Sequence, residues 1–442
     1  MGMLKRREFL QTGALALGGA FLTSRLAFAR TGTSKSRFVF IIMRGALDGL
    51  AAAPPYGDPD YAGLRRELAL KAPGTPGGAL PLNGFFGLHP SLGFLHDSYT
   101  AQELVVFHAI SSPYRERSHF DGQDVLENGT LQPHAVQTGW LNRALASLQA
   151  GHGKELGVPA GDGVALGQNF PLVMRGPASV TSWSPSKLAA LDDDTLERIT
   201  DLYAGDPLLA SRLADALAAD AIASAAAEGT AADGAAATAG SDGAMATTAP
   251  SGVMSTAAHN GAAAPLQRGK PLRYTEVVRA AAGFLRRADG PQVAVFDTTG
   301  WDTHANEGSA EGQLASRLAA LDAGLRTLKE ELGPAWADTA VLLATEFGRT
   351  AATNGTRGTD HGTATAAFLL GGAVQGGRVI ADWPGLSSRA LYQGRDLNPT
   401  ADLRSVLKGV LSEHLLVSSS ALESTVFPNS ADARTIKGLF RA

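Results

Sequence analysis

Arg37-Phe38-Val39-Phe40-Ile41-Ile42-Met43, followed at once by Arg44-Gly45-Ala46-Leu47-Asp48-Gly49, is the stretch that decides the fold class. After Arg37 the run is wholly apolar and rich in β-branched and aromatic residues, which predicts a strand buried on both faces. Four more runs share that character: Leu104–His108, Val293–Phe296, Ala340–Ala344 and Ala366–Leu370. Helical patterns lie between them. Within 316–332, Leu318, Leu321, Leu325, Leu328 and Leu332 fall at spacings of three and four, one face of a helix. Residues 275–287 and 190–220 also read as helical, and 401–415 does so with Thr400 as N-cap after Pro399. Buried strands alternating with helices predict an α/β fold with a mainly parallel central sheet flanked by helices.

Composition narrows the function classes. The chain has 442 residues, a net charge of −4 and no cysteine. The near-neutral balance argues against nucleic acid as a partner, which calls for a basic patch. Without cysteine there is no disulfide framework, thiolate metal site or cysteine nucleophile. Residues 1–29 read as a signal peptide: basic Lys5-Arg6-Arg7, then an apolar run, then Ala27-Phe28-Ala29 as a small-x-small cleavage site. The paired arginines ahead of Phe9-Leu10 resemble the twin-arginine export signal. The expectation is export in folded form by the twin-arginine translocase to the periplasm, with no integral span in the mature chain. Residues 30–442 then form a single domain. Residues 221–269, dominated by Ala, Gly, Ser and Thr, read as a disordered low-complexity insertion that cannot bury enough surface to order itself.

In parallel α/β sheets, ligands bind beyond the carboxyl ends of the strands. Polar residues stand beside every predicted strand: Arg44 to Asp48 after the first, Arg117-Ser118-His119 a short loop after the second, and Asp302-Thr303-His304 near the third. Glu346 and Arg349 follow the fourth, and Asp360-His361 precede the fifth. Carboxylate plus imidazole without thiolate suits a divalent metal such as zinc, manganese, magnesium or calcium, one ion or two. Ser118 is a candidate nucleophile with His119 as its base, and Arg117 and Arg349 are candidates for holding an anionic group. Plainer roles compete. Ser118 with Asp121 resembles a helix capping box, Glu346 and Arg349 could form a structural salt bridge, and His89 and His108 read as core histidines. The glycine-rich 371–377 reads as a hairpin-like turn rather than a nucleotide loop.

At these residues the sequence resembles the bacterial family labelled domain of unknown function 1501. The resemblance rests on Arg44-Gly-Ala-Leu-Asp48, Leu88-His-Pro-Ser-Leu92, Arg117-Ser-His-Phe-Asp121, Gly300-Trp-Asp-Thr-His304, Thr345-Glu-Phe-Gly-Arg-Thr350 and Gly358-Thr-Asp-His-Gly362. That family is similar to the alkaline phosphatase-like superfamily, which implies a large α/β sheet with two metal sites. The resemblance assigns Asp48, Asp302, His304, Glu346 and His361 to metal binding and Ser118 to nucleophilic attack. Two departures stand out. The superfamily's Asp-His dyad is Glu346-Phe347 here, and one residue rather than three separates Asp302 from His304. Asp360 or His119 would have to compensate. The expected function is a metal-dependent hydrolase of phosphate or sulfate esters, with an anionic ester as substrate. The alternative is a catalytically degenerate binding or scaffold protein on the same fold. A metal-free serine hydrolase is disfavoured, since no Gly-x-Ser-x-Gly elbow is present.

Overall fold

The computed structural model describes residues 36–152, 163–185, 193–203, 205–237 and 272–441. The signal-peptide reading of 1–29 lies outside these residues. The strands are β1 (Arg37–Arg44), β2 (Leu80–Pro81), β3 (Gly87–Leu88), β4 (Leu104–Ser111), β5 (Gly163–Leu166), β6 (Val180–Trp183), β7 (Val293–Thr299), β8 (Thr339–Ala344), β9 (Thr365–Leu370), β10 (Arg378–Ile380) and β11 (Ala401–Asp402). The helices used below are α1 (Gly49–Ala52), α2 (Tyr61–Arg65), α3 (Gly93–Thr100), α4 (His119–Asn128), α5 (Trp140–His152), α6 (Asp193–Tyr203), α7 (Pro207–Ala237), α8 (Leu272–Arg286), α9 (Gln313–Leu332) and α10 (Leu403–Glu413).

Nine strands form one sheet in the order β10-β4-β9-β8-β1-β7-β5-β6, with β11 beside the end of β4. Among the described strands of this sheet, β9 alone runs against its neighbours, antiparallel to both β4 and β8. All five apolar runs are strands, and β1 takes the centre, paired with β7 and β8. The period-two alternation of β1 feeds two buried layers. Val39, Ile41 and Met43 pack with α3, α8 and α9, while Phe38, Phe40 and Ile42 pack with α5 and α10. The architecture is α/β with a mostly parallel, mixed sheet covered by helices on both faces.

Four details differ from the sequence reading. The segment from 221 to 237 is not disordered: it continues α7, which packs along α8. Alanine is the best helix former, and small side chains let the two backbones approach closely. Ala219, Ala223 and Ala226 are buried, and a Cβ at Gly283 would lie 2.8 Å from that of Ala226. Residues 238–269 lie outside the described part. The 371–377 segment is no hairpin turn, because β9 and β10 flank β4 on opposite sides and the turn crosses below its start. The N-cap of α10 is Asp402 rather than Thr400. Ala401 and Asp402 first pair with Ile110 and Ser111, so the chain enters the helix two residues later. Finally, β4 runs past His108 through a bulge at His108 and Ala109, the latter at φ +54°.

Candidate metal centre

The direction of β9 explains why the polar residues meet. The carboxyl ends of β1, β4, β7 and β8 and the amino end of β9 share one edge of the sheet. Loops from five strands converge there. Close approach needs glycine at two points. A Cβ at Gly45, whose φ is +119°, would lie 2.8 Å from the Asp302 nitrogen, and one at Gly348 would lie 1.9 Å from the Ala364 oxygen.

His119, Asp302 and His361 bring their ligand atoms within 4.8 Å of one another, a His/Asp/His triad that can hold a metal ion. His119 Nε2 lies 3.4 Å from Asp302 Oδ2, and His361 Nε2 lies 3.2 Å from Asp302 Oδ1. His304 reaches two members of the triad, with its Nε2 at 3.0 Å from Asp302 Oδ1 and 3.0 Å from His361 Nε2. Two ligand atoms on a tetrahedral zinc at about 2.0–2.1 Å lie about 3.3 Å apart, so these separations fit donors sharing an ion.

The imidazoles are oriented from behind. His119 Nδ1 lies 2.8 Å from Glu346 Oε1, His361 Nδ1 lies 2.9 Å from the Arg117 carbonyl, and His304 Nδ1 lies 3.3 Å from Asp360 Oδ1. An Nδ1–H donated to each acceptor leaves the Nε2 lone pair turned inward, the arrangement that orients metal-binding histidines. His119 Nε2 is buried and has no hydrogen-bond partner. A buried polar atom without a partner is costly, and an ion is one group that would satisfy it. The chemistry of the donor set and this orphaned nitrogen both fit a divalent cation.

The backbone is set to the same end. Arg117 sits at φ +62°, in the left-handed region, just before the N-cap position of α4. That conformation accompanies the carbonyl contact to His361. Its side chain is tied to buried Asp396 at 2.8 Å and to Gln393 at 2.7 Å. Arg349 is buried, pairs with Asp302 and donates to the Thr359 hydroxyl and carbonyl. Both arginines are thus engaged within the protein.

Electrostatics follow the contacts. The hydrogen bond that His119 donates to Glu346 leads in raising His119, ahead of the opposing effect of burial and the further pull of Asp302. Burial leads in lowering His361 and outweighs the carbonyl of Arg117. Burial alone would raise Asp302 and Glu346, but each stays low: Arg349 outweighs it at the first, and His119, Gln123 and Thr345 help do so at the second.

Besides His304, three expected ligands, Glu346, Asp48 and Asp360, stand outside the triad. Glu346 sits behind His119, with Oε1 accepting from Gly45 N, His119 and Gln123 and Oε2 accepting from Thr345. Asp48 is buried in an ion pair with Arg65, and its Oδ1 caps α1 at Ala51 N, 3.1 Å away. Glu307 completes this cluster, with Oε1 at 3.5 Å from Arg65. Burial, then the Asp48 charge, lifts Glu307 well above the carboxylate range, while Arg65 outweighs burial and keeps Asp48 low. Nothing local in the sequence announces the pairing of Arg65 with Glu307 or of Arg117 with Asp396, since each joins residues far apart in the chain.

Phe347 follows Glu346 just beyond the end of β8 and is buried. Its ring stacks on His119 at 5.0 Å and belongs to a small apolar cluster with Ala46, Tyr114 and Val125. His119 joins the triad from α4, whereas Asp360 contacts His304 and Asn354 instead. Ser118 takes the N-cap position of α4, but its side chain makes no capping bond, so the capping box does not form. His89 and His108 are buried with backbone partners, as core histidines.

A family model described as protein of unknown function (DUF1501) matches residues 89–423, three quarters of the chain and every member of the triad. The chain belongs to this family. No curated protein matches it. Within the DUF1501 match lie Ser118, Glu346, Arg349 and Asp360 as well as the histidines, whereas Asp48 and Arg65 precede it.

Proposed function

We propose that this DUF1501 protein is a one-ion, metal-dependent hydrolase of phosphate or sulfate esters. The observation that carries the reading is the His119/Asp302/His361 triad, whose two imidazoles are each held at Nδ1 and turn Nε2 toward Asp302, as the neighbouring His304 also does. Asp302, His119 and His361 would hold the ion, with His304 beside Asp302 and His361. A bound divalent cation would supply Lewis-acid polarisation of an ester oxygen and lower the pKa of a nearby hydroxyl.

The chain's own groups do the rest. Glu346 and the Arg117 carbonyl fix the tautomers of His119 and His361. Arg349 holds Asp302 in place from the buried side, so it acts as a positioning residue rather than as a substrate clamp. Ser118 offers a hydroxyl at the amino end of α4, where the helix dipole favours negative charge near an incoming anionic ester. Attack by Ser118 on phosphorus or sulfur would release the alcohol, and water would then free the enzyme. The Asp48–Arg65 pair and Phe347 support a single ion in place of the superfamily's two. Residues 1–29 support export to the periplasm by the twin-arginine route.

The same pair favours a second reading, a degenerate binding protein that keeps one ion without turnover. Hydrolysis of p-nitrophenyl phosphate and p-nitrophenyl sulfate by metal-loaded protein separates the two. Turnover lost in Ser118→Ala with metal retained supports the hydrolase. No turnover by either protein, with metal bound, supports the degenerate reading.

A further inference from the structure

The arginines beside the metal centre are paired, with one exception. Arg44 pairs with Glu127 and Asp297, Arg349 pairs with Asp302, and Arg117 and Arg395 share Asp396. Arg115, on the connection from β4 to α4, has no carboxylate partner among the described residues. Its Nη1 donates to the carbonyls of Ser112 and Tyr114, the latter at 2.8 Å, which fixes the guanidinium against its own loop. Nε and Nη2 make no hydrogen bond among the described residues, and both reach solvent. Nε–H and Nη2–H form one edge of the guanidinium, the fork that grips two oxygens of a carboxylate, phosphate or sulfate.

The surroundings favour an anion. Arg115 is half-buried, and burial lowers its pKa in spite of the pull of Tyr392 and Asp402. Asp402 is held by Arg404 at 2.6 Å, and Glu116, next in the chain, is exposed and lies outside the bonded partners of Arg115. A partly desolvated cation without a counter-ion is costly, and a bound oxyanion would offset that cost. The same loop joins the metal centre, since the Arg117 carbonyl holds His361 Nδ1 and Arg395 donates to the His361 carbonyl. The fork itself stands apart from the ion. The titratable groups that act on it are Tyr392 and Asp402, neither of them a member of the metal centre. Ser118 lies three residues on, within about 11 Å from Cα to Cα.

We propose that Arg115 is an oxyanion fork for a second anionic group of the substrate, a carboxylate, phosphate or sulfate remote from the ester. Resting on the proposed hydrolysis, this narrows the substrates to esters that carry another anion on the alcohol side. Oxyanion binding by the fork does not depend on that reading.

Calorimetric titration of the full chain, stripped of metal, with inorganic phosphate and with acetate tests the fork. At least one of the two should bind saturably. Arg115→Gln should weaken it about tenfold or more, and Arg115→Lys, which keeps the charge without the fork, should recover only part. Arg212→Gln makes the same change of charge at an exposed site on α7 and should bind as the parent does. Thermal melts check folding, and Arg115→Lys carries the test if Arg115→Gln folds poorly. No saturable binding of either anion, parental affinity in either folded Arg115 variant, or an equal loss in Arg212→Gln would overturn the fork. For the substrate class, metal-loaded protein is offered ω-carboxyalkyl phosphates of about two to six carbons beside alkyl phosphates of equal length. At least one carboxylate should lower KM about tenfold, a gain missing in Arg115→Gln. Turnover of alkyl phosphates without preference for any carboxylate would overturn the second anionic group. No turnover of any ester, with phosphate or acetate binding intact, would count against the hydrolase alone.

Discussion

Replacing Glu346 by glutamine isolates the charge behind His119. The side chain is buried, and Oε1 accepts from Gly45 N at 2.9 Å, His119 Nδ1 at 2.8 Å and Gln123 Nε2 at 3.1 Å. Glutamine can keep its carbonyl oxygen at that place. Its amide nitrogen then faces Thr345 Oγ1, 2.8 Å from the present Oε2. Thr345 can accept that bond because its own proton has a second acceptor, the Met43 carbonyl at 2.6 Å. Every bond is therefore replaced, and the cost to folding should stay below about 1 kcal/mol. What is lost is the charge on the acceptor of His119 Nδ1–H. A bond to a charged group contributes about 1.5–3 kcal/mol against about 0.5–1.5 for a neutral one, a difference of about 1.5 kcal/mol. The imidazole becomes a weaker donor to a cation, and zinc affinity should fall about tenfold, within the range known for such outer partners. Competition against a chromogenic chelator measures the affinity, and a thermal melt checks the fold. Equal zinc affinity in Glu346→Gln and the parent protein, with both folded, would refute the role given to Glu346.

Other consequences follow from the same contacts. Asp48→Ala removes the short ion pair of buried Arg65 and also the charge that helps raise Glu307, so Glu307 can ionise beside Arg65 and the drop in unfolding free energy, read in denaturant melts, should stay below the about 3–5 kcal/mol of a wholly unpaired buried charge. The fraction that remains folded should carry as much metal as the parent, and a loss of metal there would return Asp48 to the ligand set. His108 gives a pH signature. Burial lowers it from 6.5 to about 4, and its neutral form is matched by its neighbours: Nδ1 accepts from Ala109 N and Nε2 donates to the Ala53 carbonyl. The unfolded chain binds the proton first, so stability is full above pH 6.5 and declines until about pH 4. The loss is about 3 kcal/mol across that window. His108→Gln should be less stable at neutral pH and show a shallower decline below it, and an unchanged slope in paired denaturant titrations would sink this assignment.

Much of the sheet was readable because its strands are buried on both faces. A run such as Phe38 to Met43 has no other stable environment, and that property is local. The direction of β9 was not readable, since an apolar run looks the same from either end. The convergence of loops survived that ambiguity, because β9 presents to the shared edge the end that follows Asp360-His361. The Ala-rich tail of α7 misled because low side-chain volume resembles disorder until a partner helix with small residues is in place. At the site, residue types were legible but their ranks were not. Both Glu346 and His119 offer groups suited to a metal. Only the contact from Glu346 Oε1 to His119 Nδ1 sets the carboxylate behind the imidazole. Asp48 and Arg65 lie 17 residues apart in chain order, yet no local pattern links them, and Glu307 joins from far downstream.

Metal content tests the central claim most directly. Protein lacking residues 1–29 would be purified without chelator, incubated in turn with zinc, manganese, magnesium or calcium, desalted and analysed by elemental mass spectrometry beside Asp302→Ala/His361→Ala. The account predicts one ion per chain with at least one of these metals, absent from the double variant while its fold persists. No stoichiometric metal with any of the four, or the same content in the folded double variant, would contradict it.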